Sequence, residues 1–144
     1  MRHHKELVVK KPRKFNHRLQ RILGQVGVML GESAERRVDE AFSEARDEGR
    51  LPEWIARWDR HEKWSISDRT GVDFTFFTDV GPIFVQIKSC VRNAIRFQNH
   101  HQGKKAICVV VVDIRDSNPA IYDKVMHRIG QQREEFMSRR TAFE

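Results

Sequence analysis

Residues 71–90 read GVDFTFFTDVGPIFVQIKSC, and this stretch decides the fold class. Val72, Phe74 and Phe76 alternate with Asp73, Thr75 and Phe77, the two-residue period of a strand. TDVGP at 78–82 is turn chemistry, and Ile83, Val85 and Ile87 then alternate with Phe84, Gln86 and Lys88 in a returning strand. A turn centred on Val80 and Gly81 predicts Phe77 opposite Phe84, Thr75 opposite Gln86, and Asp73 opposite Lys88. Gln86 and Lys88 are two apart and project from one side of their strand. One face of the hairpin therefore gathers Asp73, Gln86 and Lys88. The other is Val72, Phe74, Phe76, Ile83, Val85 and Ile87.

Upstream the period is helical. Leu19, Ile22, Leu23, Val26 and Leu30 recur at three- and four-residue steps. Gly24, Gly27 and Gly31 interrupt them, and Gly31 is expected to separate this helix from the next. Ser33 can cap a second helix running to about Glu48, with Ala34, Val38, Ala41, Phe42 and Ala45 as its apolar stripe and Gly49 as its stop. Pro52 predicts a short third helix carrying Trp54, Ile55 and Trp58. Downstream, 91–104 is polar and helix-compatible. AICVVVVDI at 106–114 is apolar on both faces and predicts a central, buried strand. Asn118 and Pro119 open a last helix with Tyr122, Val125, Met126, Ile129 and Phe136 inward. The expected class is a single α/β domain on a mixed sheet, residues 16–144, behind a basic arm at 1–15.

Composition bounds the function. The chain has 144 residues, long enough for one core and too short for two. A mean hydropathy of −0.65 is polar, yet nine Phe and three Trp remain to be buried. No run approaches the ~18 apolar residues of a membrane span, and MRHHKELVVKKPRK lacks the apolar core of a secretory signal. Cys90 and Cys108 are too few for a disulfide scaffold or a zinc ligand set. The expected location is the cytoplasm. Net charge is +7, and residues 1–21 carry all of it, with eight basic side chains against Glu6. Such an arm, including Arg13, Lys14 and Arg18, suits contact with phosphates, although a solubilising tail has the same composition.

The trio on the hairpin face has a definite chemistry. A carboxylate and a second oxygen ligand can hold Mg²⁺, and an ammonium two residues beyond the second ligand can orient water or offset developing negative charge. The helix at 33–48 offers further acids for the same ion. A solvated hairpin face with a weak cross-strand ion pair is the alternative reading of these residues.

GVDFTFFTDVGPIFVQIKSC, together with the acidic helix GESAERRVDEAF at 31–42, resembles the PD-(D/E)XK nuclease superfamily. That group includes restriction-endonuclease-like enzymes and Holliday-junction resolvases. The resemblance covers about residues 31–114. It implies a restriction-endonuclease-like αβββαβ core with a mixed central sheet flanked by helices, here preceded by an N-terminal helix and the basic arm. It further implies a Mg²⁺- or Mn²⁺-dependent DNA endonuclease with Asp73, Gln86, Lys88 and Glu35 as catalytic residues. Asp73, Gln86, Glu35 and the backbone carbonyl of Ile87 would be the metal ligands. Gln86 stands where the family more often has Glu, and Glu32, Asp39 and Glu40 are alternatives to Glu35. Asp68 is either a supporting acid or a turn cap.

The implied partner is DNA, duplex or branched, and a homodimer is plausible because many nucleases of this fold pair. Arg92, Arg96, Lys104 and Lys105 follow the catalytic strand and could line a DNA groove, or simply solvate a helix. His100 and His101 are adjacent and so unsuited to share one ion, and His3 and His4 belong to the arm. Trp54 and Trp58 are expected in the core, Trp64 is a weaker stacking candidate, and both cysteines read as small buried hydrophobes. The competing function is the same fold kept without catalysis, as a nucleic-acid-binding or protein-interaction module. A small basic toxin or regulatory protein is a further reading.

Overall fold

The hairpin at the centre of the molecule forms, with its turn one residue earlier than the sequence implies. The computed structural model describes residues 17–62, 71–100 and 106–142. Its elements run α1 (His17–Asp47), β1 (Ile55–Arg60), β2 (Phe74–Thr78), β3 (Gly81–Lys88), α2 (Val91–His100), β4 (Ile107–Val111) and α3 (Asn118–Thr141). The sheet has the order β1-β2-β3-β4, antiparallel except for the parallel pair β3–β4 that α2 connects. A mixed α/β sheet is thus present. The basic arm, Trp64, Asp68, His101, Lys104 and Lys105 lie outside the described residues, and no helix among the described residues is long and apolar enough to cross a membrane.

In the β2–β3 hairpin Phe76 pairs with Ile83, Thr75 with Phe84, and Thr78 with Gly81. Asp79 and Val80 are therefore the two turn residues, and Gly81 follows at φ +110°, a backbone region closed to most side chains. The partner of each β2 residue is thus displaced by two positions from the expected one. A slip of one residue would have turned every side chain over, whereas a slip of two leaves the faces unchanged. Phe74, Phe76, Ile83, Val85 and Ile87 accordingly all reach the core.

Two helices expected on either side of Gly31 are one. α1 runs 31 residues straight through Gly24, Gly27 and Gly31, so Ser33 caps nothing. Three interior glycines weaken a helix without ending it, because propagation adds a hydrogen bond per residue once a helix exists. Its C-terminal stop does lie at Gly49, with φ +69°, the N–H of Gly49 on the Arg46 carbonyl and that of Arg50 on the Ala45 carbonyl. The short helix expected at 52–58 is instead strand β1. A bulge between Ile55 and Arg57 places Ile55 and Trp58, three residues apart, on one inward side, and so imitates helical spacing. The expected central strand at 106–114 is the shorter β4, at the sheet edge. Helices beside it on both faces explain its continuous apolar character.

α1 and α3 pack together over one face of the sheet. Phe42 of α1 lies at the centre, 4.8 Å from the ring of Phe76, 5.0 Å from Tyr122 and 5.7 Å from Trp58. Ser117 caps α3 through its side chain on the Ala120 N–H; Tyr122, Val125 and Ile129 are buried as the sequence implies, Met126 and Phe136 partly so, and Ile121 joins them. α2 meets the opposite face, where Phe97 lies against Lys88. This layering leaves the site at the end of the hairpin away from its turn.

Candidate active site

Asp73 sits immediately before β2, where the regular ladder stops. Its N–H donates to the Val85 carbonyl at 2.9 Å and its own carbonyl accepts from the His61 N–H at 2.8 Å. Its carboxylate accepts the N–H of Ile87 at 2.7 Å, taking a place that a backbone acceptor would fill in a longer strand. Asp73 is thus fixed against the residue between Gln86 and Lys88, rather than opposite Lys88 as the expected register had it. It is 5% exposed.

Glu35 projects from α1 beside the buried Ala34. Its carboxyl is hydrogen-bonded to that of Asp73, and the Arg60 guanidinium lies 3.9 Å away at the end of β1. Two acids so placed cannot both ionise cheaply. Burial first, and then the charge and hydrogen bond of Glu35, push the Asp73 carboxyl up to about 8, against the opposing pull of the Ile87 N–H and the Lys88 charge. The competing helix acids are engaged elsewhere: Asp39 accepts from the Trp58 indole at 2.8 Å, and Glu40 is exposed and pairs with Arg36 at 3.7 Å. The side chain of Glu32 lies outside the described residues.

Gln86 and Lys88 share the side of β3 that faces α2. The Lys88 ammonium stands 5.0 Å from the centre of the Phe97 ring, and its charge reaches Asp73. Gln86 is buried, and its Oε1 has no hydrogen-bond partner among the described residues. An amide oxygen left so is costly unless something else satisfies it. In extended backbone the N–H and C=O of one residue leave on the same side, so the Ile87 carbonyl is directed toward the Asp73 side of β3. Glu35, Asp73 and the Ile87 backbone are therefore in direct contact, with the Lys88 charge close by. Gln86 is tied to them through β3.

Sequence reasoning passed over four neighbours. Arg60 approaches Glu35, the His61 imidazole and the buried Thr75 hydroxyl are 2.7 Å apart, and Phe97 supports Lys88. Arg60 and His61 become legible only once 55–60 is recognised as a strand, because that places them beside Phe74 and Asp73.

Among the described residues no three His, Cys, Asp or Glu side chains gather as a metal-ligand group. The candidate set consists of two carboxylates, an amide oxygen and a carbonyl. Of the basic residues, Arg18 on α1 and Arg92 and Arg96, one turn apart on α2, are exposed, whereas Arg13, Lys14, Lys104 and Lys105 lie outside the described residues. His100 is exposed as well. Cys108 is buried and its thiol is pushed up by burial, but Cys90 is exposed at the start of α2, contrary to expectation, because the chain turns outward there. Comparison of the chain with family models, with curated proteins and with solved structures finds no match.

Proposed function

We propose that the chain is a metal-dependent DNA nuclease of the PD-(D/E)XK type, which hydrolyses phosphodiester bonds with Mg²⁺ or Mn²⁺ held by Asp73 and Glu35. The observation that carries this reading is the buried Asp73 carboxyl joined to the half-buried Glu35 carboxyl at the end of the hairpin. Two carboxyls brought together with one of them buried oppose folding, and a divalent cation is a ligand that reverses that cost. The donors fit a hard cation: carboxylate oxygens, the unsatisfied Oε1 of Gln86 and the Ile87 carbonyl are all oxygen ligands. The order αβββαβ followed by α3 supports the same reading, since it is the order that the resemblance implies.

When bound, the ion would polarise a phosphoryl oxygen and acidify a water. Asp73 is pre-oriented by the Ile87 N–H, so its carboxylate is held in place before any ligand arrives. Lys88, on the following alternate position of β3, would orient the attacking water and offset charge on the pentavalent phosphorus. Its ammonium is held near the Phe97 ring. Arg18, Arg92 and Arg96, with the basic arm, would contribute sequence-independent attraction to phosphates.

The test is cleavage of plasmid, branched and single-stranded DNA with and without Mg²⁺ or Mn²⁺. Wild type should cut only with the ion, and Lys88→Ala and Asp73→Asn should each lose at least roughly 100-fold in rate. Equal residual cleavage by wild type and Lys88→Ala rejects catalysis. The neutral amide of Gln86, which leaves two carboxylates rather than three, favours one second reading: a nucleic-acid-binding module that has no catalysis. In that case Mn²⁺ titration finds no site that Asp73→Asn removes, while DNA binding persists.

A further inference from the structure

The first half of α1 carries an apolar stripe that stays exposed. Leu19, Ile22, Leu23 and Val26 are 48%, 47%, 56% and 46% exposed, and every described side chain from Arg18 to Val26 is exposed. These four positions fall on one stripe about 100° wide. An isolated helical segment of this length, carrying Gly24, Gly27 and Gly31, does not hold its shape in water without tertiary support. Along the same side of α1 the stripe leads into a cleft of about 360 Å³, walled by Ser33, Ala34 and Arg37 and floored by Val112, with Ile114, 74% exposed, at its rim.

We propose that this surface docks a second copy of the chain, the two α1 helices packing antiparallel with a two-fold axis beside residue 29. In that register Ile22 and Leu23 of each copy face residues 33–37 of the other and enter its cleft. A projecting stripe and a receiving cleft on one helix, at equal distances from one point, are self-complementary, as a two-fold interface requires.

Charge selects the same register. Arg18 falls beside the exposed Glu40 of the other copy. Glu40, Glu44 and Asp47 are all exposed on α1. A nucleic acid offers nothing to cover an aliphatic stripe, and an anionic lipid surface would meet the Glu40–Asp47 flank of the same helix. The paired span, residues 18–40, is roughly 35 Å long and one helix wide, a footprint of about 350–400 Å² per copy before the cleft walls are added. That is small for a specific dimer, so the association is weak and concentration-dependent.

Sedimentation equilibrium of the full chain, from low micromolar to submillimolar concentration, tests this without reference to nuclease activity. Wild type should pass from monomer to dimer, and Leu23→Glu should raise the dissociation constant by roughly tenfold or more. Arg18→Glu and Glu40→Arg should each weaken the dimer, and the two combined in one chain should restore it. Only a partner carrying the same two residues can give that rescue. Far-UV circular dichroism confirms that the core of each variant is intact. A wild type that stays monomeric throughout, a charge reversal that fails to rescue, or binding of phosphatidylglycerol vesicles lost with Leu23→Glu while no dimer forms would each overturn the proposal.

Discussion

The Asp73 carboxylate accepts the N–H of Ile87 at 2.7 Å, and so the acid is bound to the strand that carries Gln86 and Lys88. The contact replaces a ladder hydrogen bond at the point where β2 has not yet begun, which lets an acidic side chain lie almost fully out of water. Glu35 completes the arrangement from α1, and its proximity makes the pair sensitive to pH.

The pH response follows from the raised Asp73 carboxyl, at about 8 against an ordinary 3.8. Between those values the folded chain keeps a proton that the unfolded chain has released. Stability is therefore highest at the acid end of this window and declines as pH rises toward 8. Without divalent ions, Asp73→Asn should flatten that decline and exceed wild type at pH 8 by roughly 1–3 kcal/mol. Urea unfolding at pH 5 and pH 8 in EDTA measures it; an Asn variant less stable than wild type at pH 8 contradicts the buried-pair account.

Adding a charge where the amide now stands should have two opposite effects. Gln86→Glu places a third carboxyl near the pair and should lower the melting temperature in EDTA, because a further buried acid must be protonated or unpaired. With Mn²⁺ present it should bind the ion roughly tenfold more tightly than wild type. Isothermal titration compares the two, and identical affinities would place Gln86 outside the ligand set.

Core packing concentrates on Phe42, which is fully buried among Trp58, Phe76 and Tyr122. Phe42→Ala should destabilise the fold by about 3–5 kcal/mol through lost burial and an unfilled cavity. Phe42→Leu should recover a large part of that. Equilibrium unfolding by urea distinguishes the two, and equal losses would show that ring volume does not matter there.

The end of α1 depends on Gly49, whose φ of +69° is open to glycine and strained for other residues. Gly49→Ala should cost about 1 kcal/mol although the space around a new Cβ is empty, since the penalty is conformational. A thermal melt within error of wild type would mean that the helix ends differently in solution.

The sequence by itself determined the hairpin faces, the Gly49 stop, the Asn118–Pro119 start of α3 and the presence of acids on α1, because each follows from a local period or a local backbone preference. Tertiary structure alone decided the rest. It brought Glu35, the acid that the resemblance had pointed to, against Asp73 and engaged Asp39 and Glu40 elsewhere, which only the helix-to-sheet contact reveals. It turned 55–60 into a strand, because a bulge lets an edge strand imitate helical spacing and only pairing with β2 distinguishes them. It moved the hairpin register by two, a change invisible to alternation because the faces stay the same. It also left Leu19 to Val26 exposed, since a periodic apolar stripe says that a helix has a face to cover and is silent about which surface covers it.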